Sequence, residues 1–266
     1  MRWDINMKSV SFVIPVYNEE ERINITLQAL DKGIYYTGIK LDEVIFVDDG
    51  SIDKTVKIIQ EWDKYRKINF SVKIISYEEN KGKGYAIKQG MNASKTDYTL
   101  FFDADMSTPL TEIKKFIPQI ENDVDIIVGT RKNGHSTVIK HQPLYREFLG
   151  HGFTFLSQFI LNTWITDFTC GFKAVSRKAK DEIFQKAKIN RWGYDAEMIF
   201  LGRILQYSIQ EVPVIWSNDD RSKVNLFTDI PKTLLDLIYI RLSHVSFLPS
   251  YIKTLRFGFN TNEELS

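Results

Sequence analysis

The sequence predicts an α/β fold in which a mostly parallel central sheet is covered by helices. Short β-branched apolar runs alternate with longer amphipathic runs through the first half of the 266-residue chain. Strands that alternate with helices usually form parallel sheets, and such sheets place ligands beyond the carboxyl ends of their strands. No low-complexity linker divides the sequence, so we expect one continuous body whose functional residues follow the strands directly.

Five short apolar runs are the predicted strands, and each is rich in β-branched or aromatic residues. They are SVSFVI from Ser9, EVIFVD from Glu43, SVKIIS from Ser71, YTLFFD from Tyr98 and DIIVGT from Asp125. The intervening segments, residues 19–30, 53–65, 83–93 and 109–120, have the spacing of amphipathic helices. The first half is therefore predicted as β-α-β-α-β-α-β-α-β.

The pattern changes after Arg131, where a polar stretch replaces the regular alternation. A helix is predicted over residues 143–162, a second helix ends at Ala187, and a strand is predicted over residues 210–216. We expect this part of the chain to build the site of a second substrate on the same body.

Composition excludes several classes of function. The chain has 35 Lys and Arg residues against 34 Asp and Glu residues, which argues against the broad basic face of a nucleic-acid binder. The single cysteine, Cys170, excludes an intrachain disulfide and a cysteine-based zinc site, and it favours a cytoplasmic location. We expect no secretory signal and no membrane span, because no run approaches the roughly 18 to 20 apolar residues that a span needs. A position on a membrane surface stays open.

Acidic motifs follow the first two predicted strands. IPVYNEEERI, from Ile14, ends the first strand and opens a helix, where its glutamates meet the positive end of the helix dipole. VDDGS, from Val47, ends the second strand and fits either a plain turn or recognition of a base or ribose. Capping and ligand binding are both open for these motifs.

A third motif, DADMSTP, carries Asp103 and Asp105 directly after the fourth strand. Mg²⁺ prefers oxygen ligands and usually takes one or two protein carboxylates while substrate phosphates fill other positions. An isolated Asp-X-Asp is more often a solvated turn. Its position at the expected ligand edge of the sheet favours a metal site.

Seven segments, DADMSTP among them, resemble one enzyme family in the same order along the chain. They are NKGKGYAIKQGM from Asn80, DADMSTP from Asp103, GTR from Gly129, TDFTCGFKAVSR from Thr166, RWGYDAE from Arg191, RSKVN from Arg221 and DLIYIRL from Asp236. Together with the strand-end motifs they resemble the family 2 glycosyltransferases, in particular the dolichyl-phosphate β-glucosyltransferase and polyprenyl-phosphate glycosyltransferase branch. The resemblance implies the GT-A fold, a Rossmann-like fold that binds nucleotide sugars.

The resemblance assigns the donor site to the strand ends. The donor-binding residues it implies are Pro15, Tyr17, Glu19, Val47, Asp49, Lys83, Asp103 and Ala104. Asp103 and Asp105 would hold a divalent metal, Mg²⁺ or Mn²⁺. Ser107 stands where the mannosyl branch often has glutamine, which favours UDP-glucose over GDP-mannose as donor. A helix-entry turn is the alternative interpretation of the segment around Lys83.

The same resemblance assigns an acceptor site to the second half of the chain. Its lipid-phosphate ligands would be Arg131, Arg146, Arg221 and Lys223. Arginine suits this role because its planar fork binds phosphate oxygens through two hydrogen bonds. Asp195 would be either a general base or an organiser of the acceptor site. The predicted catalytic residues are Asp105, Asp195 and Arg131.

The predicted activity is inverting transfer of one hexose, from UDP-glucose, onto a polyprenyl or dolichyl monophosphate. Residues 1–130 would bind the nucleotide sugar and residues 131–227 the acceptor. Residues 228–266 would form an amphipathic segment that lies at the cytosolic face of a membrane, and packing on the protein's own core or on a partner subunit is the alternative. The alternatives are a soluble transferase acting on a glycan or protein hydroxyl, and a polyprenyl-phosphate mannosyltransferase that uses GDP-mannose. A sugar nucleotidyltransferase and a non-enzymatic sugar-nucleotide sensor are more distant alternatives.

Overall fold

A seven-stranded sheet lies at the centre of the structure, a computed structural model that describes residues 7–67, 69–132, 134–141, 143–219 and 226–244. Within its helices, the side chains of residues 33–37, 144, 146 and 226–229 lie outside the description. The strands are β1 (Ser9–Val16), β2 (Lys40–Asp48), β3 (Ser71–Ser76), β4 (Tyr98–Phe101), β5 (Ile126–Thr130), β6 (Thr137–Lys140), β7 (Lys173–Ser176), β8 (Ile209–Pro213) and β9 (Ile215–Ser217). Strands β6 and β9 pair with each other in a separate two-stranded sheet. All five strands predicted for the first half are present.

The spatial order of the main sheet is β3-β2-β1-β4-β7-β5-β8. Neighbouring strands run parallel except β7, which is antiparallel to both β4 and β5. The mostly parallel sheet is therefore confirmed, whereas β7 was not predicted. Because β1, β2, β4 and β5 point the same way, the motifs that follow them meet at one edge.

The helices are α1 (Ile23–Thr37), α2 (Thr55–Tyr65), α3 (Lys83–Ala93), α4 (Ile117–Glu121), α5 (Leu144–Leu161), α6 (Arg177–Lys186), α7 (Tyr194–Ile204) and α8 (Leu226–Ser243). The helix predicted over residues 109–120 is instead a 3-10 helix, Leu110–Lys115, followed by α4. Pro118 lies at the start of α4 and has no N–H, so one continuous α-helix would lose a hydrogen bond there. The strand predicted over residues 210–216 is divided into β8 and β9.

The sheet is buried on both faces. Alternate residues of β1 enter opposite apolar layers, with Phe12 and Ile14 on one side and Val13 on the other. The first layer packs against α1, α2 and the 3-10 helix, and the second against α3, α6 and α7. Burial on both faces explains why the strands are continuous apolar runs in the sequence.

Helix α8 has two different faces. Leu237 and Ile240 are fully buried in the second layer, whereas Leu235, Ile238 and Leu242 are exposed. One face of the predicted amphipathic segment thus packs on the protein's own core, and residues 245–266 lie outside the described residues. In the part of the chain that the structure describes, no helix combines the length and apolar character required to cross a membrane.

Candidate active site

A cavity of about 650 Å³ opens at the edge of the sheet where the parallel strands end. The predicted site residues that line it are Pro15, Tyr17, Glu19, Asp49, Lys83, Asp103, Ala104, Asp105, Arg131 and Asp195. Donor and acceptor candidates from separate parts of the sequence therefore share one cavity. Val47 does not line this cavity, because its side chain is fully buried in the second apolar layer.

Three predicted acceptor residues have no described side chain. Arg146 lies in α5, but only its backbone is described, and Arg221 and Lys223 lie outside the described residues. The convergence of several arginines on a lipid phosphate therefore stays a prediction, with Arg131 as its one described member.

Asp103 and Asp105 stand on the turn that follows β4. Asp103 lies against Gly171, where an added Cβ would collide with the carboxylate in its present position, so the lack of a side chain leaves room for this approach. The Asp105 carboxylate accepts a hydrogen bond from the backbone N–H of Ser107 at 2.9 Å. Burial and the charge of Asp103 nevertheless raise the pKa of Asp105 above its ordinary value. Two crowded carboxylates of this kind are stabilised by a cation.

The side chains at this turn fit a hard divalent cation. Within the described ranges, no group of three or more metal-binding side chains occurs. Mg²⁺ and Mn²⁺ fit the two carboxylates, because such ions accept one or two protein carboxylates and take further oxygen ligands from a substrate diphosphate. Asp103 and Asp105 are the residues that would hold the ion.

Asp49 organises the loop that leads into α3. Its carboxylate accepts hydrogen bonds from Tyr77 Oη at 2.7 Å, Asn80 Nδ2 at 2.8 Å, and the backbone N–H groups of Lys81 at 2.8 Å and Gly82 at 2.9 Å. Four donors match the roughly four lone-pair positions of a carboxylate. Asp49 thus has a structural role that its sequence motif did not reveal, alongside its place in the cavity wall.

The loop held by Asp49 delivers Lys83 to the predicted metal ligands. Gly82 has φ +102°, and a Cβ there would collide with the backbone oxygen of Asn190, so the loop also packs closely against the segment before α7. The Lys83 ammonium lies 2.5 Å from Asp103 Oδ1. The sequence left a helix-entry turn and a phosphate contact as alternatives for this segment. Helix α3 does begin at Lys83, and the phosphate contact stays a prediction.

Arg131 is fixed in the cavity wall by a fully buried carboxylate. Its Nε donates to Asp167 Oδ2 at 2.7 Å and its Nη2 to Asp167 Oδ1 at 2.8 Å, while its guanidinium lies over the ring of Trp216. Burial alone would favour the neutral acid, yet the Arg131 charge holds the pKa of Asp167 well below its usual range. Arg131 is therefore a positioned cation.

The two acidic residues of the GYDAE segment have different roles. Asp195 lines the cavity and is ion-paired to Lys173, a fully buried residue of β7. Burial raises the pKa of Asp195, and the nearby Lys173 and Lys83 only partly offset this effect. Glu197 is fully buried and accepts hydrogen bonds from the backbone of Lys188 and Ile189. It is a structural residue, whereas Asp195 faces the cavity.

Sequence reasoning did not identify two of the charged residues at the site. Lys173 interrupts an apolar run, and a charge inside such a run is a signal for a buried partner. Arg22 also lines the cavity, pairs with both carboxylate oxygens of Glu19, and reaches Asp219 at 3.4 Å. Arg22 directly follows three glutamates at the predicted start of a helix, and nothing in that pattern indicates a place in the cavity wall.

Comparisons with known proteins agree with this geometry. The family model described as "Glycosyl transferase family 2" matches residues 11–184. Dolichyl-phosphate β-glucosyltransferase of Mus musculus is 32% identical over 255 residues, which cover 92% of this chain and 78% of the mouse protein. The protein of the same name from Saccharomyces cerevisiae is 33% identical over 256 residues, which cover 89% of this chain and 75% of the yeast protein.

Solved structures support the fold. Glucosyl-3-phosphoglycerate synthase of Mycobacterium tuberculosis, crystallised with Mn²⁺, UDP and glucosyl-3-phosphoglycerate, superposes with a TM-score of 0.65 at 15% identity. The match covers 91% of this chain and 81% of the other. The same enzyme has also been crystallised with Mn²⁺, UDP-glucose and phosphoglyceric acid, again with a TM-score of 0.65. The mostly parallel sheet, the strand-end cavity and these similarities lead to one conclusion: the chain belongs to glycosyl transferase family 2 and is a glycosyltransferase of the GT-A fold.

Proposed function

We propose that this glycosyltransferase moves a single glucose from UDP-glucose onto a polyprenyl monophosphate of the dolichyl phosphate type, with inversion. The observation that carries the proposal is the shared cavity, which has paired aspartates in one part of its wall and the positioned cation Arg131 in another. A donor diphosphate with its metal suits the first part, and an anionic acceptor suits the second. The similarity to dolichyl-phosphate β-glucosyltransferases over most of the chain supports the same substrates.

The donor would lie along the strand ends of residues 1–130. Pro15, Tyr17 and Glu19 line the cavity beside Asp49 and suit the nucleoside, while Lys83, Asp103 and Asp105 suit the diphosphate. A divalent metal bound by the two aspartates would supply neutralisation of the charge that develops on the leaving diphosphate. The solved neighbour that was crystallised with UDP-glucose and Mn²⁺ supports this choice of donor and ion.

The acceptor would enter from the part of the chain between residues 131 and 227. A phosphate monoester has a second pKa near 6 and is a competent nucleophile at neutral pH, so it needs no strong general base. Its oxygen attacks the anomeric carbon on the side opposite UDP, the C–O bond to UDP breaks, and an α-linked donor gives a β-linked product. Arg131 would orient the phosphate, and Asp195 would organise the neighbouring wall.

A membrane surface is the proposed setting of the reaction, on its cytosolic face. Helix α5 contributes Leu149, Gly150 and Phe153 to the cavity and exposes Phe148 and Phe159, each 78% exposed, to the outside. The exposed face of α8 adds further apolar side chains. Apolar side chains next to the cavity would allow the polyprenyl chain to stay in lipid while its phosphate reaches Arg131.

One transfer assay tests the proposal. Labelled UDP-glucose is offered with polyprenyl phosphate, with the unphosphorylated polyprenol and with simple sugars, and GDP-mannose replaces it in a parallel reaction. We expect metal-dependent transfer from UDP-glucose to the lipid phosphate alone. Efficient transfer to a hydroxyl, with none to the lipid phosphate, would overturn the proposal in favour of a soluble transferase in which Asp195 is the base.

A further inference from the structure

The ammonium group of Lys83 contacts a carboxylate of the cavity wall. Its Nζ lies 2.5 Å from Asp103 Oδ1, and its side chain is only 21% exposed. Its Nζ also lies over the rings of Trp192 and Tyr194. The ammonium therefore stands at the position where the paired aspartates attract positive charge.

The backbone beneath Lys83 is held on two sides. Asp49 binds the N–H groups of residues 81 and 82 on one side, and the Tyr85 N–H donates to Asn190 O at 2.9 Å on the other. Gly84 packs so closely against Tyr194 that a Cβ would lie 2.7 Å from that residue's own Cβ. Movement of the ammonium must therefore come from the side chain, which has a flexible stem of four carbons.

Two cations are candidate partners of the Asp103 carboxylate. In the structure its Oδ1 contacts Lys83, and the same carboxylate is a proposed ligand of the divalent metal. Two cations on one carboxylate repel each other strongly at a separation of a few ångströms. A diphosphate bound beside Asp103 would offer the displaced ammonium a new anionic partner within reach of its stem.

We propose that Lys83 is an internal counter-cation that competes with the divalent metal for Asp103 and moves onto the donor diphosphate when the metal binds. This inference rests on the metal site of the proposed function. Its consequence is that the metal binds weakly until the nucleotide is present. Lys83 then weakens metal binding in the free enzyme and strengthens nucleotide binding in the complex.

The test compares Mn²⁺ binding and UDP binding in variants of the full chain. Mn²⁺ is titrated by electron paramagnetic resonance without nucleotide, and UDP is titrated by calorimetry at saturating Mn²⁺. For Lys83→Met we expect Mn²⁺ to bind about tenfold more tightly, and UDP about tenfold more weakly, than to the wild type. Lys83→Gln, a polar variant without the charge, should show the same two opposite shifts.

Two control variants accompany these. One keeps the positive charge at position 83, and the other removes a lysine charge from a different position of the loop. Lys83→Arg retains the cation and should bind Mn²⁺ as the wild type does. Lys81→Met removes an exposed lysine from the same loop, where the ammonium lies over the rings of Tyr77 and Tyr85, and should change neither affinity. General damage to the loop would weaken both ligands together, so the opposite signs distinguish the proposed role from a structural one.

Unchanged or weaker Mn²⁺ binding by both folded neutral variants would overturn the inference while leaving the metal site intact. Failure of the metal site has a different signature. If the wild type bound no Mn²⁺ even with saturating UDP, or if Asp105→Ala bound it equally well, the proposed site itself would be wrong. Melting temperatures measured for each variant confirm that the compared proteins are folded.

Discussion

The carboxylate of Asp167 holds the guanidinium of Arg131 through two hydrogen bonds, at 2.7 Å and 2.8 Å, and also accepts the Arg131 backbone N–H at 3.1 Å. Arg131 follows β5, whereas Asp167 lies in the connection between α5 and β7. The pair therefore joins the end of a sheet strand to the segment that supplies the antiparallel strand. The pair holds the Arg131 guanidinium in a fixed orientation in the cavity wall.

Asp167→Asn should impair use of the acceptor more than use of the donor. Asparagine cannot offer two anionic oxygens, so the Arg131 fork loses its alignment. We expect the KM for polyprenyl phosphate to rise about tenfold or more, with the affinity for UDP nearly unchanged. Steady-state kinetics with each substrate varied in turn measures this, and Asp123→Asn, at an exposed site, is the matched control. An unchanged acceptor KM in the folded variant would contradict the assigned role.

The same pair should make stability depend on pH in acid. The lowered pKa of Asp167 means that its contribution is fully present above its unfolded pKa of about 4 and is lost as pH falls towards the folded value. Breaking a buried pair by removing one charge costs about 3–5 kcal/mol. Urea unfolding should therefore show a constant difference between wild type and Asp167→Asn from pH 7 to pH 5, and a smaller one below pH 4. A difference that does not narrow in acid would be evidence against the ion pair.

Asp105→Ala should abolish transfer and leave the fold intact. Asp105 stands on a turn at the cavity, and its proposed contact is with the metal rather than with the core. Loss of a group that stabilises transition-state charge is typically worth about 3–4 kcal/mol, which corresponds to more than a hundredfold in rate. Single-turnover transfer measures the loss, and Asp42→Ala at an exposed position of β2 is the control. Activity close to that of the wild type would rule out the metal assignment.

Glu197→Ala should destabilise the protein, in contrast to Asp195→Asn. Glu197 anchors the backbone at Lys188 and Ile189 and contacts His244 Nε2 at 2.7 Å, so alanine leaves several buried polar groups without partners. We expect the free energy of unfolding to fall by about 3 kcal/mol or more. Asp195→Asn should instead lower turnover with a smaller effect on stability. Urea unfolding and kinetics on both variants test this contrast, and the reverse pattern would mean that the two roles were exchanged.

The meeting of the proposed donor residues at one cavity could be predicted because it depends on local rules. Each parallel strand places the residues after it at one edge, so Asp49, Asp103 and Asp105 could be brought together from their strands alone. The contact between Lys83 and Asp103 depends on close packing of the loop against the segment before α7, which strand order does not determine.

The acceptor side was harder to predict because it depends on β7. This strand has only four residues, begins with a lysine and pairs in the antiparallel direction with strands from distant parts of the sequence. A short strand with a charge does not show the apolar pattern that reveals a buried strand. The buried Lys173 was therefore missed as the partner of Asp195.

The exposed aromatic residues of α5 should be required for attachment to membranes. Burying a phenylalanine side chain in an apolar environment is worth about 1.5–3 kcal/mol, so loss of both Phe148 and Phe159 should reduce binding by more than a hundredfold. Phe148→Ser/Phe159→Ser is a cleaner test than removal of α8, because α8 also contributes Leu237 and Ile240 to the core. Flotation with anionic liposomes measures binding, and Tyr65→Ser, at an exposed site at the end of α2, is the control.

Activity provides a second measurement on the same double variant. Transfer to a short, water-soluble polyprenyl phosphate should continue at nearly the wild-type rate, because Phe148 and Phe159 do not line the cavity. Transfer to a long-chain lipid in vesicles should fall with the loss of attachment. A double variant that floats with liposomes as well as the wild type does, and that keeps full activity on the long-chain lipid, would show that this face of α5 is not the surface that meets the membrane.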